Sequence, residues 1–151
     1  MRARIVGALL LSALWSLLTI APAAAAEIKA LDLGKAAEVW FSEDHTVPIV
    51  AFSISLPAGS GYDPAGKAGL ATFAAALLDE GAGGMDSRAF QEALASHAIQ
   101  LRASVERDDM VISIVTLTEN APLAMRLLQT ALTRPRFDAE AVARVRAQII
   151  Q

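Results

Sequence analysis

Two histidines, His45 and His97, and two carboxylate pairs, Asp79-Glu80 and Asp108-Asp109, are the first candidates for chemistry in this chain. A hydrolytic zinc ion needs about three protein ligands of the His, Cys, Asp or Glu type, plus one open position for water. The two histidines are widely separated and neither has a neighbour at ligand spacing. His45 reads as a solvated turn residue. His97 reads as a helix C-cap in the left-handed conformation, which histidine tolerates better than most side chains. Asp79-Glu80 reads as a solvated helix end, because adjacent helical residues point apart. Asp108-Asp109 reads as a hairpin turn. Gly59-Ser60-Gly61 lacks the flanking pattern of a serine nucleophile elbow. The glycines at 59, 61, 66 and 69 do not form a phosphate loop, since no Gly-Lys-Ser/Thr follows them. No catalytic residue and no metal ligand is assigned.

The stretch that would position any such site is Asp63 to Gly81. It reads as one amphipathic helix, with Asp63 and Pro64 at its start and Gly81 at its end. Leu70, Phe73, Ala74 and Leu77 recur on one apolar face. Thr72, Ala75 and Ala76 occupy the other face and offer no ionisable group. Before this helix, Glu38–Ser42 and Ile49–Leu56 alternate like strands and are expected to pair as a hairpin across the polar turn that holds His45. Residues 27–35 show no clear pattern. Gly81–Gly84 reads as a flexible joint. Asp86 or Ser87 caps a helix with Phe90, Ala93, Leu94 and His97 on one face. Residues 99–106 and 110–118 form a second strand pair, the first half exposed and the second central. Asn120 and Pro122 open a helix with Leu123, Leu127 and Ala131 on its core side. Asp138 caps a last helix carrying Val142, Val145 and Ile149, which shows no stop signal, so the domain is expected to be cut short at its C-terminus. The order ββα-α-ββ-α-α predicts an α+β fold, an antiparallel or mixed sheet with helices on one face.

Composition limits the function. Arg2 and Arg4, the apolar run from Ile5 to Ile20 and the small residues Ala21–Ala26 read as a secretory signal peptide cleaved after Ala26. An uncleaved anchor is the alternative reading. Removal of residues 1–26 leaves 125 residues, 27–151, as one domain with a net charge of −5. An acidic domain without a basic stripe argues against a nucleic-acid partner. The absence of cysteine rules out disulfide staples, so the fold depends on its core. The expected location is the periplasm, with membrane contact only through a retained signal segment.

In register, the chain resembles the N-terminal half-domain of the insulinase/pitrilysin family of inverted zinc peptidases, which includes the mitochondrial processing peptidase. The landmarks are Val39-Trp-Phe with Val47-Pro-Ile-Val, the loop Leu56-Pro-Ala-Gly-Ser-Gly-Tyr-Asp-Pro64, Gly69-Leu-Ala at the opening of the central helix, Ala98–Asp108, and Arg136-Phe137 with 142–150. Active relatives carry His-x-x-Glu-His on that helix, two zinc ligands and a general base. The resemblance places Thr72, Ala75 and Ala76 at those three positions, with the third ligand, a glutamate, just beyond Gln151. It therefore implies a non-catalytic partner subunit without zinc of its own. Such a subunit would help enclose and bind peptide or unfolded protein beside an active, zinc-bearing homologue. Two other readings are a zinc endopeptidase with ligands supplied elsewhere and a periplasmic scaffold or binding protein without a peptidase partner.

Overall fold

The computed structural model describes residues 27–32, 34 and 37–150. The expected signal peptide lies outside them. The chain divides into two compact units, one ending at Thr46 and one running from Val47.

The first unit is a two-stranded antiparallel ribbon, β1 (Ile28–Asp32) and β2 (Glu38–Ser42), in which Ala30 faces Trp40. Within the stretch 27–35, which shows no clear pattern in sequence, residues 28–32 thus form a strand. All five residues of β1 are exposed, so no buried face imposes an alternation on its sequence. Asp32 Oδ1 accepts a hydrogen bond from Gly34 N–H at the turn (2.7 Å). β2 pairs with β1 and not with β3, so the expected β2–β3 hairpin is absent among the described residues.

The second unit is built on a three-stranded antiparallel sheet of order β3-β7-β6: β3 (Ile49–Leu56), β6 (Gln100–Val105) and β7 (Met110–Leu117). β7 is central, as its two apolar faces predict. Adjacent residues in a strand face opposite sides of a sheet. The buried side of β7 is therefore Met110, Ile112, Ile114 and Thr116. Register places Leu56 opposite Met110 and Ile54 opposite Ile112. On the other flank Leu101 faces Ile114, and Ala103 faces Ile112. The helices α1 (Leu70–Ala76), α2 (Ser87–Ser96), α3 (Ala121–Thr133) and α4 (Ala139–Ile149) complete the unit. Phe90 of α2 and Ile112 of β7 are its largest fully buried side chains, joined in one cluster by Leu94, Leu127 and Leu128. The fold is α+β, as expected.

Helix capping differs from the expectation at several points. Asp86 caps α2, accepting from Ala89 N–H (2.8 Å). Asp138 stands at the start of α4, but its carboxylate turns to Arg136 (2.7 and 3.2 Å) and makes no side-chain cap. Asn120 also makes no cap; its side-chain amide donates to the carbonyl of His97 (2.9 Å). The residue with positive φ after α2 is Ala98 (φ 50°), while His97 has φ −113°. His97 is exposed, and its Nδ1 lies 3.0 Å from the Ala93 carbonyl. The Gly81–Gly84 segment is an anchored hairpin and not a loose joint. β4 (Gly81–Ala82) pairs with β5 (Met85–Asp86) and is buried. Gly83 N–H donates to the Arg134 carbonyl (2.8 Å) and Arg136 N–H to that of Gly81 (3.2 Å).

Candidate functional site

α1 is shorter than the pattern predicts. Its first helical residue is Leu70, because Gly66 (φ 77°) and Gly69 (φ 90°) are both left-handed and interrupt any helix from Pro64. Asp63 nevertheless acts on the helix start from a distance. Its two carboxylate oxygens accept from Gly69 N–H (2.7 Å) and Ala71 N–H (2.9 Å). Two of the amides that every helix leaves unpaired are thereby satisfied. After Ala76 the chain tightens into turns closed by Leu77, Leu78 and Glu80, each donating to the carbonyl three residues earlier.

The faces of α1 also differ from the reading by period. Leu77 is buried, but Leu70 is 44% exposed. Thr72 and Ala76 are exposed, one turn apart on the same side. Ala75 is 7% exposed and belongs to the apolar cluster that contains Ala82, Phe90 and Leu94. An Ala-rich helix has no strong hydrophobic stripe, so its buried face is hard to read from sequence.

The loop before α1 is held by backbone contacts. Gly59 N–H donates to the Asp108 carbonyl (3.1 Å), Ser60 N–H to that of Glu106 (2.8 Å) and Gly61 N–H to that of Arg107 (2.6 Å). Ser60 Oγ adds a bond to the Glu106 carbonyl (3.2 Å). A Cβ at Gly59 would lie 2.5 Å from backbone atoms of Arg107 and Asp108, and one at Gly61 would lie 2.8 Å from the Arg107 carbonyl. These two glycines let the loop lie directly on the β6–β7 turn, which is the hairpin turn expected at Asp108-Asp109. Ser60 is spent on this clamp.

The carboxylates at the end of α1 have separate partners. Asp79 accepts from Gln91 Nε2 through Oδ2 (2.9 Å). Glu80 is not a solvated residue. Arg144 of α4 grips both its oxygens (2.9 and 2.6 Å), and Ser87 Oγ donates to one of them (2.5 Å). Nothing local in the sequence signals this bidentate contact, which joins residues 64 positions apart. His45 lies in a turn where Asp44 accepts from Thr46 N–H (2.8 Å) and Oγ1 (2.5 Å). Those bonds hold the Asp44 carboxyl below its ordinary pKa.

Among the described residues, no three His, Cys, Asp or Glu side chains are grouped so as to hold a metal ion. The donor set at Thr72, Ala75 and Ala76 consists of one hydroxyl and two methyl groups, one of them inside the core. These residues do not fit a hydrolytic zinc ion, which needs three good ligands.

What the site does offer is an open strand edge. β6 hydrogen-bonds to β7 alone among the described strands, so its second edge is unpaired. α1 packs against β6, which brings Thr72 and Ala76 into the same part of the unit.

The chain is 26% identical over 112 residues to "Non-peptidase homolog YmxG" of Helicobacter pylori, an alignment covering 74% of this chain and 26% of that protein. It superposes on the crystal structure of a peptidase M16 inactive domain from Pseudomonas fluorescens with a TM-score of 0.74 and 24% identity, covering 81% of this chain and 30% of that one. That likeness carries the fold. The chain thus spans about a quarter to a third of the length of these two proteins. The family model for insulinase (peptidase family M16) matches residues 38–151. With three quarters of its length matched, this chain belongs to the insulinase family.

Proposed function

We propose that this chain is a non-catalytic insulinase-family subunit, exported to the periplasm, that binds extended peptide beside an active homologue. The observation that carries the proposal is the state of α1. Where active relatives are expected to present two histidines and a glutamate, this helix presents Thr72 and Ala76 to solvent and folds Ala75 inward. The name of the Helicobacter pylori relative, a non-peptidase homolog, supports the same reading. Without a ligand set the chain activates no water, and its contribution is to binding.

The open edge of β6 suits that role. An extended peptide can add to a sheet edge through main-chain hydrogen bonds alone, which gives affinity with little sequence demand. A peptide placed there would lie along the strand that supports α1. The small side chains of Thr72 and Ala76 would leave it room. Cleavage would come from a partner that carries His-x-x-Glu-His and zinc.

The test is co-expression with an insulinase-family homologue that carries the intact motif, followed by purification, metal analysis and peptide hydrolysis. The expected result is a complex in which zinc and activity follow the homologue, and in which this chain improves peptide affinity. One equivalent of zinc and peptide cleavage by this chain alone would overturn the proposal.

A further inference from the structure

We infer that Arg102, on the open edge of β6, selects extended peptides that carry a carboxylate side chain at one position. This inference deepens the proposed function and rests on its reading of β6 as the peptide-binding edge. The hydrogen-bond register decides which groups of β6 face outward. Opposed residues in an antiparallel pair alternate between exchanging both main-chain bonds and exchanging none. Glu106 N–H donates to the Asp109 carbonyl across the β6–β7 turn (2.8 Å), and Thr118 N–H donates to the Pro48 carbonyl past the far end of β7 (2.9 Å). Counted from the first bond, Ser104, Arg102 and Gln100 bond to Val111, Ser113 and Val115. Counted from the second, β3 bonds to Thr116, Ile114, Ile112 and Met110, which leaves the same three residues of β7 for β6. The two counts agree. The main-chain N–H and C=O groups of Leu101, Ala103 and Val105 therefore face away from β7, and no turn or loop among the described residues bonds to them.

A peptide that adds antiparallel, the more stable pairing, exchanges its bonds with those three residues. Its side chains opposite them lie on the side of the sheet that carries α1, because Leu101, Ala103 and Val105 pack against the cluster that holds Ala75. Small or apolar side chains suit that side. The peptide residue opposite Arg102 lies on the other side. It falls in a non-bonded pair, where Cα atoms approach to about 4.5 Å and side chains come closest. Arg102 is exposed and meets no carboxylate among the described residues. Its neighbours on that side, Gln100, Ser104 and Ser113, are uncharged. Glu106 continues the same side four residues on, about 13 Å along a strand and beyond the screening length of physiological salt. An aspartate or glutamate opposite Arg102 gains a cross-strand ion pair, and a lysine there is repelled. The class recognised is an extended segment with one acidic residue between small or apolar ones.

The experiment is fluorescence anisotropy of labelled, end-capped peptides Thr-Val-Ala-X-Ala-Val-Thr, with X glutamate, glutamine or lysine, titrated with the purified full chain. The glutamate peptide is expected to bind about 2–5-fold tighter than the glutamine peptide, and the lysine peptide weaker than glutamine by a similar factor. Arg102→Gln is expected to level the three affinities, Arg102→Glu to reverse their order and Arg102→Lys to keep it. Ala103→Pro removes one outward N–H, which an edge strand tolerates on its open side. With folding checked by circular dichroism, it is expected to weaken all three peptides about 10-fold. A wild type that binds the three peptides equally, with all of them weakened by Ala103→Pro, overturns the inference and leaves the reading of β6 standing. So does a glutamate preference that persists in Arg102→Gln. Peptides that do not bind, or that bind Ala103→Pro as well as the wild type, overturn the reading of β6 and the inference with it.

Discussion

Replacing Ala75 by glutamate tests whether this helix has lost its catalytic face or merely its catalytic residues. The Ala75 side chain sits in the apolar cluster at 7% exposure. A glutamate there must stay neutral or draw water into the core. Staying neutral at pH 7 means holding a proton against an ordinary pKa of about 4.3, a difference of 2.7 units or about 3.7 kcal/mol. Overpacking by the longer side chain adds about 1–3 kcal/mol. The expected destabilisation at pH 7 is therefore about 5–7 kcal/mol, comparable with the whole stability of a small domain. The sign of the pH dependence follows from the raised folded-state pKa. Below pH 4.3 the group is neutral whether folded or unfolded, and only the packing cost remains. As pH rises above 4.3 the unfolded chain ionises and is favoured, so the penalty grows until the folded-state pKa is reached. At pH 5 the protonation part is about 1 kcal/mol, so the destabilisation shrinks by about 2.7 kcal/mol relative to pH 7. Urea unfolding of the variant and the wild type at both pH values measures this. A variant within about 1 kcal/mol of wild type at both pH values would show that position 75 faces solvent, and the argument from burial would fail.

The exposed neighbours behave differently. Thr72→His with Ala76→His places two imidazoles one turn apart on the solvent side of α1, and it is expected to bind zinc or nickel weakly without peptide hydrolysis; calorimetric titration and a hydrolysis assay check both parts. Gly59→Ala drives a methyl group into the backbone of the β6–β7 turn and disturbs three main-chain hydrogen bonds, for an expected loss of about 2–4 kcal/mol. Its control, Gly84→Ala, has open space around the new methyl group and is expected to be neutral in the same urea series. Thr116 has a buried hydroxyl with no hydrogen-bond partner among the described residues, so Thr116→Val is expected to stabilise by about 1 kcal/mol. Thr46→Ala removes one of the bonds that lower the Asp44 pKa, so the Asp44 titration followed by NMR is expected to move up toward 3.8. With the hydroxyl present, that turn is held above pH 3.8 and released as pH falls through the lowered value.

The parts legible in the sequence were those with a strong period and local partners. β6 alternates cleanly and β7 is apolar on both faces, on either side of Arg107-Asp-Asp109, and their pairing, with β7 central, needed only neighbouring residues. The β3–β7 pairing joins Leu56 to Met110 and Ile49 to Leu117, and nothing local signals it. Proximity in sequence favoured β2 as the partner of β3, but β2 is taken by β1, whose five residues are all exposed and carry no alternation to announce a strand. Asp63 reads as the start of the central helix, but it stands outside that helix, which begins at Leu70. Its reach across six residues to Gly69 was illegible, because left-handed glycines act through backbone geometry that no hydrophobic pattern records. At the candidate site, the side chains at 72, 75 and 76 were plain. Which of them points inward was not, since alanine fits either face.

The closure of this fold has a temporal consequence. Arg144 grips Glu80, and β3 takes its register from a strand more than fifty residues downstream. Contacts this distant carry their loop-closure entropy before any is returned, which makes them slow to form. Synthesis must pass β7 before β3 has its partner. A polypeptide that stays open so long remains threadable, as the proposed passage through a membrane requires.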